Sequence, residues 1–179
     1  MSTTVQAFAT LGTNEVADGV TAWISPANAG TSTPTTCTLA AGFLSQYLVA
    51  TGFGFSIPYG ALIRGIQFDM DCQSSVLSTV REKNLQAVKA QTRYGTVKNF
   101  GLIQWGTGVV NFSIGSAVEL YNQPWFSWDI NATGFGVAIQ CEDPGALLGI
   151  ASIKNVRATI TYDNPVISTV ASYLSMGNH

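Results

Sequence analysis

Apolar and polar positions alternate along much of this chain. Ile66, Phe68, Met70 and Cys72 alternate with Gln67, Asp69 and Asp71, which places four apolar side chains on one face of an extended strand. The same two-residue period runs through Val110, Phe112 and Ile114, through Phe135, Val137, Ile139 and Cys141, and through Val156, Ala158, Ile160 and Tyr162. These four stretches are predicted as strands with one face in a core. Further strands are predicted at residues 36–39, 47–49 and 85–91, although Leu85, Ala87 and Val88 break strict alternation in the last. Turn signals separate the runs: Ile57-Pro58-Tyr59-Gly60, Gly106-Thr107-Gly108, Gln123-Pro124 and Asp143-Pro144-Gly145. Beyond residue 39 no helical period persists for more than about three turns. Short helical turns are predicted at residues 15–22 and 129–132, the second with Asp129 as its N-cap.

Many short strands with Gly/Pro punctuation and no long helix predict an all-β domain. The expected architecture is a single jelly-roll-like β-sandwich over residues 23–163, with an N-terminal arm at 1–22 and a C-terminal extension at 164–179. Asn164-Pro165 breaks the last strand and lets the chain change direction. Beyond it, Val166, Ile167, Val170, Tyr173 and Leu174 make the extension too apolar for a solvated linker. These five side chains are expected to contact a partner subunit. Trp125, beside Pro124, is expected to be exposed and to join them. Trp128 is expected in the core, because Trp buries a large area.

Composition narrows the function. Charged residues are only 10% of the 179, with Lys+Arg 8 against Asp+Glu 10. Phosphate neutralisation needs clustered Lys and Arg, so a nucleic-acid partner is not expected. A membrane partner is not expected either, since no apolar run reaches the roughly 18 residues of a spanning helix. The start of the chain lacks a signal-peptide pattern, so no export is expected. The low charge suits a surface covered by neighbours, hence a homo-oligomer, with a trimer favoured.

Candidate chemistry is sparse. The one histidine, His179, is the last residue, so a His-based triad, zinc site or general base would depend on a chain terminus. Cys37, Cys72 and Cys141 lack the CxxC spacing of a metal site and are expected as reduced thiols. Asp69 and Asp71 share the outer face of one strand, and Glu142 adjoins Asp143. Paired carboxylates can serve a glycosidase or a calcium site. A solvated strand face or a calcium site is the preferred reading of Asp69 and Asp71 over catalysis. No cofactor and no enzymatic activity are expected.

One stretch carries a family resemblance. Gly52-Phe53-Gly54-Phe55-Ser56-Ile57-Pro58-Tyr59-Gly60-Ala61-Leu62-Ile63-Arg64-Gly65-Ile66 resembles the GFGFSIP-x-GA-x-I-x-GI segment of a family of tailed-bacteriophage structural proteins. Trp23-Ile24-Ser25-Pro26 upstream, Trp128-Asp129-Ile130-Asn131 and Gly134-Phe135-Gly136 downstream, and the closing Val156-Arg157-Ala158-Thr159-Ile160-Thr161-Tyr162 match in the family's order. The resemblance implies a β-sandwich virion protein assembled in the host cytoplasm. Within such a particle, a compact domain of this size with extra terminal segments suits a capsid decoration or cement protein that stabilises the shell through the major capsid protein or other virion proteins, with a neck, tail or tail-fibre position as variants. A different class remains beside it: a carbohydrate-binding module of a tail fibre or spike that recognises host surface glycans on exposed Trp and Tyr. The glycines themselves read as fold-building, since a phosphate cradle would need a following helix and usually Lys.

Overall fold

The two-residue period builds two antiparallel sheets. A computed structural model describes residues 2–75, 79–99, 101, 103–145 and 147–165. Among them the strands are β1 (Ser2–Phe8), β2 (Leu11–Glu15), β3 (Thr35–Leu39), β4 (Tyr47–Thr51), β5 (Leu62–Ser74), β6 (Arg81–Lys89), β7 (Thr92–Lys98), β8 (Val110–Gly115), β9 (Gly136–Glu142) and β10 (Gly149–Asp163). A short helix, α1 (Ser127–Asn131), lies between β8 and β9. The first sheet runs β1-β10-β5-β8, with β3 also paired to β10, and the second runs β2-β4-β9-β6-β7. From β1 to β6 each successive strand changes sheet, which makes the fold a jelly-roll-like β-sandwich.

The alternating apolar sets meet between the sheets. Ile66, Phe68 and Met70 of β5, Val137 and Ile139 of β9, and Val156 and Ile160 of β10 are all fully buried. The Phe68 ring lies 5.9 Å from those of Phe135 and Tyr121 and 6.3 Å from that of Phe53. Gly52 and Gly54 take φ values of 72° and 68°, a region open to glycine at little cost, and the bent chain between them carries Phe53 and Phe55 into this cluster. Pro58 and Gly60 close the following turn, where the Ala61 N–H donates to the Pro58 carbonyl at 3.1 Å.

Several expectations need correction. Residues 2–15 are not an arm: β1 pairs with β10 from Ser2↔Asp163 to Phe8↔Arg157, and β2 pairs with β4. Their apolar residues are few: Val5 and Ala7 are half-buried against the core while Phe8 and Leu11 are exposed, and backbone ladders do the rest of the holding. Val110 is 44% exposed although Phe112 and Ile114 are buried, because it sits at the first position of β8. The broken alternation at Leu85, Ala87 and Val88 arises because Leu85 and Ala87 face the main core while Val88 is buried on the opposite face. Residues 15–22 contain no helix. Asp129 is the third residue of α1 rather than its N-cap, and its carboxylate accepts from the Phe126 N–H at 3.0 Å.

Candidate functional site

The turn at residues 58–61 and helix α1 come together at one edge of the sandwich. Leu62 bridges to Phe126, and the Asn131 side chain locks the turn by accepting from the Ile57 N–H and donating to the Ile57 carbonyl, at 2.7 and 2.9 Å. Within α1, Ser127 and Ile130 are buried, three positions apart on the core-facing side. Trp128 therefore points away from the core. It stacks on Phe126 with centroids 4.4 Å apart and planes 10° apart, and Tyr59 lies 6.0 Å from it on the other chain segment. Tyr59 is 85% exposed, Trp128 53% and Phe126 45%, so the three rings form an aromatic platform open to solvent. Lys89 and Asp129 pair at its border at 2.8 Å. The Lys89 ammonium also sits 5.8 Å from the Phe126 ring centre.

The two tryptophans exchange their expected places. Trp125 is buried: its Nε1–H donates to the Leu120 carbonyl at 3.0 Å, and its ring meets Phe135 and Tyr94 edge-on at 5.6 and 5.4 Å. A ring with a partner for its polar atom and two aromatic neighbours is better placed inside than out. Trp125 is thus no partner contact, and Trp128, expected in the core, is the exposed one. The signal that could have found this is the Ser127/Ile130 spacing, but a helix of five residues is too short to display a period. Val166, Ile167, Val170, Tyr173 and Leu174 lie outside the described residues. Pro165, the last described residue, lies against Gly60 beside the platform.

A second distinctive surface is the outer face of the second sheet. Leu48, Ala50, Leu85, Ala87, Val137 and Ile139 face the main core, while Tyr47, Val49, Val88 and Ala138 form a separate buried cluster on the opposite face. Arg93 on edge strand β7 reaches over this cluster. Its guanidinium carbon lies 4.2 Å from the Tyr47 ring centre, and its Nε–H donates at 2.9 Å to Glu15 on the other edge strand, β2. In a flat sheet, strands four spacings apart are separated by about 19 Å. The contact therefore requires the sheet to curl, with this face concave.

The carboxylates singled out from the sequence are bound up in structure. Asp69 accepts from Gln67 and from the Ser113 hydroxyl. Burial works against ionising Asp71, but hydrogen bonds from Asn155 and Asn111 and the Arg157 charge outweigh it, holding its carboxyl below the ordinary value. Glu142 behaves likewise: its burial is outweighed by Lys83 and Arg81, at 2.9 and 2.7 Å. Asp143 accepts from the Gly145 N–H, shaping the turn after β9. Among the described residues no three His, Cys, Asp or Glu side chains group as metal ligands. The three cysteines are free and buried, and burial pushes the Cys37 thiol up to about 12.

No protein-family model matches the chain, and no curated protein matches it. Solved structures similar to it include a CBM4 module, 10% identical, with 87% of this chain and 92% of that one covered at a TM-score of 0.42. A family 29 carbohydrate-binding module from Piromyces equi is also 10% identical, covering 88% and 90% at a TM-score of 0.42. The enzymatically active domain of tailspike protein 4 from bacteriophage CBA120 is 14% identical, covering 88% of this chain and 19% of that one at a TM-score of 0.35. These likenesses are distant, and the sandwich assignment rests on the two sheets themselves.

Proposed function

We propose that this β-sandwich is a non-catalytic carbohydrate-recognition module that binds neutral sugar chains on the Tyr59–Trp128–Phe126 platform. The exposure and mutual stacking of those rings carry the reading. A pyranose ring presents a face of C–H groups, which packs on an aromatic surface, and a rim of hydroxyls, which needs donors and acceptors at the border. Lys89 and Asp129 supply both at the platform's edge. Turn and helix hold the rings in place before any ligand arrives, so little side-chain entropy is lost on binding. The setting that fits the motif resemblance is a phage tail fibre or spike meeting host surface glycans. Calorimetry with oligosaccharides of glucose, galactose and N-acetylglucosamine tests the proposal. Trp128→Ala is expected to weaken the best ligand at least tenfold with an unchanged melting midpoint. Absence of binding across the panel, or a Trp128→Ala protein that binds normally, overturns it.

A second reading is a structural subunit of a tailed-phage particle that decorates the shell by contacting the major capsid protein or other virion proteins as a homo-oligomer. The observation that favours it is the apolar rim of the same surface: Leu62, bridged to Phe126, is 53% exposed, and Pro165 lies near Gly60 at the same edge. Light scattering separates the two readings. A monomer at micromolar concentration that does not bind particles removes the structural one.

A further inference from the structure

The outer faces of the two sheets carry the same kinds of polar side chain, but use them differently. On the first sheet they satisfy one another: Gln6 donates to Thr159, Gln67 to Asp69, and Asn111 and Asn155 to Asp71. On the second sheet a cleft of about 450 Å³ opens between Glu15, Gln86, Gln91, Thr92 and Arg93, within the size range of small-molecule sites. Its polar groups are largely unspent. Among the described residues, Gln91 and Thr92 make no side-chain hydrogen bond. Gln86 uses only its Nε2, donating to the Gly95 carbonyl at 2.6 Å, which leaves its amide oxygen free to accept.

Arg93 is the organising group. Its Nε–H is held by Glu15 and its plane rests near the Tyr47 ring, so the guanidinium is fixed in position. Among the described residues Glu15 is the one side chain that it bonds to, so no second partner takes up its terminal amino groups. That terminal edge is a planar fork matched to a carboxylate, which it can grip with two parallel hydrogen bonds. Beside it stand an amide oxygen, a full amide and a hydroxyl, the partners that sugar hydroxyls require.

We infer that this cleft is a second binding site, separate from the aromatic platform, that takes a carboxylated sugar with its carboxylate on the terminal edge of Arg93. The ligand's hydroxyls bond to Gln86, Gln91 and Thr92. Glu15 remains on Nε and offsets part of the Arg93 charge. Recognition therefore depends on the shape of the fork more than on net attraction, and a lysine at this position does not replace it. The argument stands on the cleft alone and does not need the platform to bind sugar.

The probe is trigalacturonate, with galactotriose as its neutral counterpart, titrated into the full chain by calorimetry and by NMR. Trigalacturonate is expected to bind saturably and to shift the resonances of Gln86, Gln91 and Thr92. Arg93→Lys is expected to weaken it at least tenfold. Glu15→Gln keeps an acceptor for Nε and removes an opposing charge, so it should tighten binding several-fold, and this variant keeps the proposal testable if Arg93→Lys fails to fold. Trp128→Ala should leave trigalacturonate binding unchanged, which separates failure of this site from failure of the platform. The inference is overturned if trigalacturonate does not bind, if galactotriose binds in the cleft as well, if Arg93→Lys binds normally, or if Glu15→Gln brings no gain.

Discussion

The outer faces of the two sheets are built from similar residues and end in opposite states. Thr4 and Thr161, Gln6 and Thr159, and Asp71 with Asn111 and Asn155 tie the first sheet's face into a closed polar ladder. A hydroxyl or amide already paired to its neighbour gains little from a ligand. The second sheet's face buries Tyr47, Val49, Val88 and Ala138 under its own curl and bridges the two edges with one ion pair. Curling removes apolar surface from water without a third layer of structure. Part of this face is paired as well, Asn84 with Gln140 and Glu142 with Arg81 and Lys83, but at the end beside Arg93 the side chains of Gln91 and Thr92 remain available. Pairing thus leaves the first face inert, while curvature leaves one end of the second receptive.

The largest expected effect lies beneath both faces. Phe68→Ala removes a ring that touches Phe53, Phe135 and Tyr121, and should cost about 3–5 kcal/mol in urea denaturation. A much smaller loss would mean that the sheets do not share one core. Tyr47→Ala strips the floor of the curled face and should cost about 3 kcal/mol, while also freeing Arg93. A loss no greater than that of a surface residue would show that the face is not truly closed by curvature.

Acid offers an intermediate test, because both outer faces carry carboxylates held below their ordinary value: Asp71 and Asp163 on the first and Glu142 on the second. A carboxylate that titrates lower in the folded state adds stability above its unfolded pKa and loses it as pH falls towards the folded one. The urea midpoint should therefore hold steady near neutrality and drop once pH passes below about 4.5, the ordinary Glu value. Asp71→Asn and Glu142→Gln should each flatten part of that drop, and a midpoint indifferent to either change contradicts the pairing described. The smallest effect belongs to Thr159→Ala on the ladder face, within about 0.5 kcal/mol by the same denaturation assay. A larger loss would make that face a cooperative network rather than a set of separate surface pairs.

The core was readable before any coordinates. Ile66, Phe68 and Met70, or Phe135, Val137 and Ile139, sit inside because a strand turns alternate side chains to opposite faces, a local rule that needs only neighbouring residues. The Gly52–Gly54 bend and the Pro58–Gly60 turn were readable for the same reason, since a positive φ or a fixed one is a property of the residue itself. β1 and β2 were not, because only Val5 and Ala7 mark the inward face of β1 and Leu11 of β2 is exposed, while the backbone ladders to β10 and β4 leave no mark in side-chain order.

The sequence by itself therefore determined an all-β sandwich, most of its inward faces and its principal turns. Only the tertiary structure decided which surfaces are left to act. Trp125 and Trp128 are three positions apart in nearly the same composition, yet one found a carbonyl and two rings inside and the other was turned out by the helix that carries it. Arg93 and Glu15 are 78 positions apart on opposite edges of a sheet, and their meeting depends on how far that sheet bends. Bending is summed over many weak contacts on both faces, so it belongs to no single residue and could not be read from the chain.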